Sequence, residues 1–202
     1  MRSSNILIPY VKGLADGADM RMHIEAGLAK TPSVEPDVGM FLEFFTYSVK
    51  PAKILEIGCG IGVSTRYMAK GAPDAHITAV DYNAGRLEHA RDACRNMNVN
   101  CIFADGEEYL RDDRGVYDVI FVDSVKKRYP VMLHYSLNRL KEGGAVIFDD
   151  VFLYGEIFKQ DCEIAPKYIG AARVLREFLN NVKAQYRHTL LPIGGGLLMV
   201  GK

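Results

Sequence analysis

The chain has 202 residues, 25 basic against 25 acidic side chains, and a hydrophobic content of 49%. That length suffices for one sizeable core, and the ordinary composition argues against disorder. Zero net charge carries no electrostatic signature of a nucleic-acid partner, although a local basic patch would suffice for one.

No run of about 18 apolar residues occurs, and the N-terminus has no apolar leader, so the expectation is a soluble cytoplasmic protein with no membrane partner. Cys59, Cys94, Cys101 and Cys162 form no CxxC pair and have no histidine at zinc spacing. They read as free thiols in a reducing compartment.

In chain order, Met20, Ile24 and Leu28 recur at four-residue spacing and predict a helix over Asp16–Lys30. Thr31-Pro32-Ser33-Val34 breaks it. A second helix starts at Pro36, with Val38, Phe41, Leu42, Phe45 and Val49 on one face, and stops before Pro51. Strands and helices then alternate. The strands are Lys53–Ile57, Ile77–Val80, Val99–Phe103, Tyr117–Val122 and Ala145–Phe148. The helices between them are Val63–Lys70, Ala84–Asn96, a short one near Glu107–Leu110, and Tyr129–Leu140, which Gly143-Gly144 closes. Repeated βα units imply a parallel sheet with helices on both faces. After a helix near Gly170–Val182, Tyr186–Leu191 and Leu197–Val200 flank Pro192-Ile193-Gly194-Gly195-Gly196. So short a connection makes an antiparallel pair.

The first strand ends in Glu56-Ile57-Gly58-Cys59-Gly60-Ile61-Gly62, a pattern E-x-G-x-G-x-G. Glycines at a strand's carboxyl end let a nucleotide-like ligand lie against the backbone, with Gly58, Cys59 and Gly60 nearest to it. Asp81 closes the second strand, where an acid can accept hydrogen bonds from both ribose hydroxyls. That serves NAD and S-adenosylmethionine alike. The dinucleotide fingerprint needs glycine at Val63, which is absent, and the antiparallel ending fits a methyltransferase sheet better. Asp105-Gly106 follows the third strand, where Asp105 is placed to accept an adenine amine.

Asp123 ends the fourth strand, and Asp149 and Asp150 end the fifth. Parallel strands lie about 5 Å apart, so these acids should converge beside the cofactor turn. Clustered carboxylates repel unless a cation or protons compensate, and oxygen-only ligands favour a hard ion such as Mg²⁺, or Mn²⁺ or Ca²⁺. The same residues also fit a helix cap and a solvated acidic turn. Lys126 stands three residues after Asp123. A metal and a cationic cofactor nearby would lower its pKa and make it a base, whereas spacing alone gives a surface lysine in Lys126-Lys127-Arg128.

Four segments carry a resemblance across almost the whole chain: Leu55–Gly58, Phe121–Tyr129, Phe148–Val151 and Leu191–Leu197. The chain resembles the metal-dependent O-methyltransferases of catechol and caffeoyl-CoA type and their bacterial relatives. The resemblance implies a single domain over residues 1–202, a Rossmann-like seven-stranded sheet, mostly parallel with an antiparallel C-terminal strand, and a homodimer. Residues 1–50 would be helices covering the cofactor site. It implies a metal on Asp123, Asp149 and Asp150, Lys126 as catalytic base beside Asp123, and S-adenosylmethionine lined by Val34, Glu56, Gly58, Ser64, Asp81, Gly106 and Asp123. Two positions depart from the family pattern. Asp150 stands where asparagine is usual, and Gly195 where the closing turn usually carries an acid.

The acceptor expected is a hydroxyl beside a second oxygen on a planar ring. The segments Pro166–Tyr168, Leu175–Leu179 and Leu190–Gly194 look most like tRNA 5-hydroxyuridine methyltransferases. Lys126, Lys127, Arg128, Lys159, Lys167, Arg173 and Arg176 are candidate phosphate contacts. A small catechol-like or hydroxycinnamoyl acceptor is the alternative. A further one is a non-catalytic S-adenosylmethionine-binding module in which Asp150 marks a decayed metal site.

Overall fold

The computed structural model describes residues 17–202. Asp16, the expected start of the first helix, and the front of the expected N-terminal cover lie outside the described residues.

The strands form one seven-stranded sheet in the order β3-β2-β1-β4-β5-β7-β6. These are β1 (Lys53–Ile57), β2 (His76–Asp81), β3 (Val99–Phe103), β4 (Tyr117–Val122), β5 (Leu140–Phe148), β6 (Arg187–Leu191) and β7 (Leu197–Gly201). β1 to β5 pair in parallel, while β7 runs antiparallel to both β5 and β6. The expected sheet is therefore observed, antiparallel ending included.

The helices are α1 (Gly17–Leu28), α2 (Pro36–Val49), α3 (Val63–Gly71), α4 (Ala84–Ala93), α5 (Gly106–Asp112), α6 (Tyr129–Arg139) and α7 (Ile169–Gln185). Strand side chains alternate between faces, and the two-residue period divides the core. Leu55, Ile57, Ile120, Val122, Val146 and Phe148 pack with Leu110, Met132, Leu133, Ala172, Leu175 and Phe178 of α5, α6 and α7. Ile54, Ile77, Val119, Phe121 and Ile147 pack on the other face with Ala26, Val38, Leu42, Tyr67 and Met68 of α1, α2 and α3. Ala79, of the same parity as Ile77, meets Leu87 and Ala90 of α4. Among the described residues, no helix is long and apolar enough to cross a membrane.

Two boundaries differ from expectation. Gly143-Gly144 does not close α6. That helix ends at Arg139, and both glycines lie inside β5. They are tied to the chain end there by Gly143 N–H to Lys202 O and Lys202 N–H to Gly144 O, each 3.2 Å. The last strand thus extends the pairing of β5 beyond its apolar run. α4 stops at Ala93, with Cys94 as its cap rather than inside it.

Candidate active site

Register builds the site. Ile57 pairs with Val80 on one side and Val122 on the other, and Val122 pairs with Phe148. The next residues, Gly58, Asp81, Asp123 and Asp149, therefore form one row along the carboxyl edge of four adjacent strands.

The glycine turn is made as its sequence suggests. Gly58 has φ +92°, and a Cβ there would lie 1.9 Å from the backbone oxygen of Asp123. Only glycine permits both that conformation and that approach of β4. The Asp81 carboxylate holds the turn, accepting from Gly60 N–H (2.9 Å) and from Asn83 N–H (2.8 Å). A crevice of about 220 Å³ opens over these residues. Gly58, Gly60, Asp81, Gly106 and Asp123 line it.

Other expected cofactor residues lie outside that lining. Glu56 has the parity of Ile54, so it points under α3 rather than out of the strand end. It is fully buried and accepts from the hydroxyls of Ser64 and Thr65. Burial pushes its pKa up to about 7 against the opposing effect of those two hydroxyls. Ser64 is buried with it, and Val34 packs in the core of the α1–α3 face. Cys59 turns into the small cluster under α4, and burial pushes its thiol far up. Asp105 caps α5, accepting from Glu107 and Glu108 N–H, and pairs with Arg128 at 2.8 Å. Pro32, Tyr82, Arg86, Ala104, Ser124 and Val125 line the crevice and were not anticipated. Tyr82, Ser124 and Ala104 directly follow or approach strand ends, the signal that would have found them.

The acids form the second half of the site. Lys126 Nζ donates to Asp123 Oδ1 at 2.7 Å and stands 3.6 Å from Asp150 Oδ2. It also lies 5.3 Å from the Tyr129 ring centroid, within cation–π range. Burial alone would lower the lysine pKa, but Tyr129, Asp123 and Asp150 together hold it well above its usual value. That is the opposite of the lowered pKa expected of a base, for the chain without ligands. Asp149 is 3% exposed and its Oδ1 accepts from Asp150 N–H at 2.8 Å. Burial and repulsion from Asp123 and Asp150 raise its pKa well above the usual carboxylate range. Burial, and repulsion from Asp123 against the pull of Lys126, raise that of Asp150 too.

Asp123 and Asp150 share one ammonium with Asp149 beside them, and this excess of carboxylates with oxygen-only donors suits a hard divalent cation. The side chains as placed are not a coordination shell. Among the described residues, no group of three or more His, Cys, Asp or Glu is arranged to hold a metal. Lys126 is the counter-ion instead. The donor set thus fits a cation by its chemistry, with Lys126 in competition for the same oxygens.

The sheet order, with its antiparallel ending, is that of the Rossmann-like methyltransferase fold. A solved structure with the same fold is the SAH-bound methyltransferase PaMTH1 of Podospora anserina. It is 23% identical, with a TM-score of 0.85 over 98% of this chain and 94% of that one. A sequence profile of the O-methyltransferase family matches residues 18–202, and the chain belongs to that family of S-adenosylmethionine-dependent enzymes. Tapetum-specific methyltransferase 1 of Arabidopsis thaliana is 30% identical over 72% of this chain and 65% of its own length. The match therefore spans just under two thirds of that relative. Caffeoyl-CoA O-methyltransferase of Stellaria longipes is 28% identical over 89% of this chain and 80% of its own.

Proposed function

We propose that the protein transfers the methyl group of S-adenosylmethionine to a hydroxyl standing beside a second oxygen on a planar ring, with the help of a divalent cation such as Mg²⁺. One observation carries this reading. Asp123 both lines the crevice and bonds Lys126, so donor site and proton-handling group share a residue.

In this reading Gly58, Gly60, Gly106 and Asp81 seat the donor, and Asp123, Asp149 and Asp150 would hold the cation. A cation bound there supplies Lewis acidity that makes an acceptor hydroxyl easier to deprotonate. With its carboxylate partners engaged elsewhere, Lys126 would first lose its own proton to solvent and then take the acceptor's proton at Nζ. The acceptor oxygen then attacks the methyl carbon, the S–CH₃ bond breaks, and its electrons return to sulfur.

A small acceptor, catechol-like or hydroxycinnamoyl, is favoured over tRNA by the state of the basic residues. Lys159 is bound to Glu156, Arg173 and Arg176 to Asp161, and Arg128 to Asp105. In this reading those four charges serve local pairs rather than a phosphate track. The exposed apolar stripe on α2, formed by Met40, Phe44 and Tyr47, supports a homodimer.

The test is a methyl-transfer assay comparing a catechol with tRNA carrying 5-hydroxyuridine, each with Mg²⁺ and with a chelator. We expect turnover of the catechol that the chelator removes. Full turnover under chelation rejects the cation's part, and turnover of tRNA alone rejects the small acceptor. Lys126→Ala should keep donor affinity and lose on the order of 10²-fold or more in kcat, the usual weight of general acid–base catalysis. Unchanged kcat removes Lys126 from the mechanism. A protein that binds the donor but neither a cation nor any acceptor would be a binding module.

A further inference from the structure

We propose that Gly195 is a positioning residue for the acidic cluster, the missing side chain at 195 being the seat in which the Asp150 carboxylate rests. The functional half of this proposal rests on the proposed role of Asp150 in holding a cation.

The segment after β5 is laced to the β6–β7 turn. Val151 N–H donates to Gly196 O at 3.0 Å and Phe152 N–H to Gly195 O at 2.9 Å. The turn is fixed from its far side, where Gly194 N–H donates to the buried Asp37 Oδ2 at 3.0 Å. Between these ties, Asp150 lies against Gly195 in the left-handed backbone region, with φ +56°. A Cβ on residue 195 would stand 1.9 Å from Asp150 Oδ1, 2.9 Å from its Cγ and 3.2 Å from its Cα. The other oxygen is held from the opposite side, by the Tyr154 hydroxyl at 3.2 Å and Lys126 Nζ at 3.6 Å. The carboxylate is thus confined between a tyrosine, a lysine and an absent side chain.

Gly195 is a clean position to probe. Its flanking glycines have φ +52° and +92°, but Gly195 is not in the left-handed region, so alanine there brings no backbone strain. The two closest atoms are the end of a short side chain, and the third is the Asp150 Cα. The cheapest relief is rotation of the Asp150 carboxylate, which breaks its contacts with Tyr154 and Lys126 together. Neither Gly195 nor Asp150 lines the donor crevice.

The experiment is a double-mutant cycle on the full chain with Gly195→Ala, Asp150→Ala and both together. Urea unfolding reads the seat without any metal. Mn²⁺ affinity, measured by electron paramagnetic resonance of free ion, reads its consequence, since Mn²⁺ accepts the same oxygen ligands as Mg²⁺. We expect Gly195→Ala to lower the urea midpoint and to weaken Mn²⁺ binding at least about tenfold, a loss of about 1.4 kcal/mol, while S-adenosylhomocysteine affinity stays unchanged. In the Asp150→Ala background the same substitution should cost clearly less stability and no further Mn²⁺ affinity, because the two closest contacts are gone and only the approach to the residue 150 Cα remains. Equal losses of stability in both backgrounds overturn the seat. An intact seat with wild-type Mn²⁺ affinity in Gly195→Ala overturns its positioning role. A wild-type protein that takes up no Mn²⁺, with the stability cycle still coupled, overturns the cation reading of Asp150 and the functional half with it.

Discussion

Glu56 shows how one buried group ties the donor turn to pH. Its carboxyl lies at the first turn of α3, bound by two hydroxyls, yet burial raises its pKa from 4.5 to about 7. The folded protein therefore keeps this proton over a pH range in which the unfolded chain has released it. The contribution is fully present below about pH 4.5 and is lost as pH rises through about 7. The upper bound is roughly 3 kcal/mol, at about 1.4 kcal/mol for each tenfold change in proton affinity. Glu56→Gln should remove this loss, so that its stability relative to wild type improves by about 1–3 kcal/mol between pH 5 and pH 8. Urea unfolding at several pH values checks it. Asp149 and Asp150 also titrate upward, but they do so in both proteins, so the difference isolates Glu56. Parallel stability curves for the two proteins would show that Glu56 is ionised throughout. The E-x-G pattern is legible in sequence; the direction of the glutamate is not obvious from it. It follows from strand parity, which turns Glu56 toward α3 and leaves only Gly58 and its successors at the open edge.

Among the elements, the strand ends were the most legible part. β1, β4 and β5 are apolar runs closed by a glycine or an acid, and their parallel pairing places those closing residues side by side. The beginning of β5 was less legible, because Gly143-Gly144 reads locally as a helix stop while its pairing partner is the distant Lys202. Two acids at successive strand ends, Asp81 and Asp105, read in sequence as ribose and adenine contacts, and the structure gives them different local partners. Asp81 holds both the Gly60 and Asn83 amides and lines the crevice. Asp105 caps α5 and pairs with Arg128, and it does not line the crevice. Asp81→Ala should therefore release the glycine turn and weaken S-adenosylhomocysteine binding by about 10–100-fold, the worth of about 1–3 kcal/mol of lost hydrogen bonding. Asp105→Ala should cost about 1 kcal/mol of stability, a typical capping loss, with donor affinity nearly unchanged. Calorimetric titration of both variants decides the matter. Equal losses of affinity would put Asp105 in the donor site after all.

At the scale of the whole molecule, the sheet buries both faces under helices, but α2 does not hide all of its apolar surface. Its inner side carries Val38 and Leu42 at 0% exposure. Its outer side leaves Met40, Phe44 and Tyr47 at 36, 69 and 63% exposure, with the Phe44 and Tyr47 rings in contact at 6.5 Å. These positions, four and three residues apart, form one stripe on the helix. Ile24 and Leu28 of α1 are exposed as well. Contiguous apolar surface of this kind marks an interaction face more often than scattered exposed residues do. A second copy of the chain is the occupant we propose, and the stripe then supplies the aromatic centre of the interface. Phe44→Glu places a charge at that centre without touching the inner face of α2. Sedimentation velocity should show a dimer for the wild-type chain and a monomer for the variant. Donor affinity should be retained in the variant, because Met40, Phe44 and Tyr47 do not line the crevice. A wild-type chain that sediments as a monomer rejects the dimer. A variant that stays dimeric moves the interface elsewhere, leaving the exposed edge of β6 as the next surface to test, since an unpaired strand edge can also join two copies.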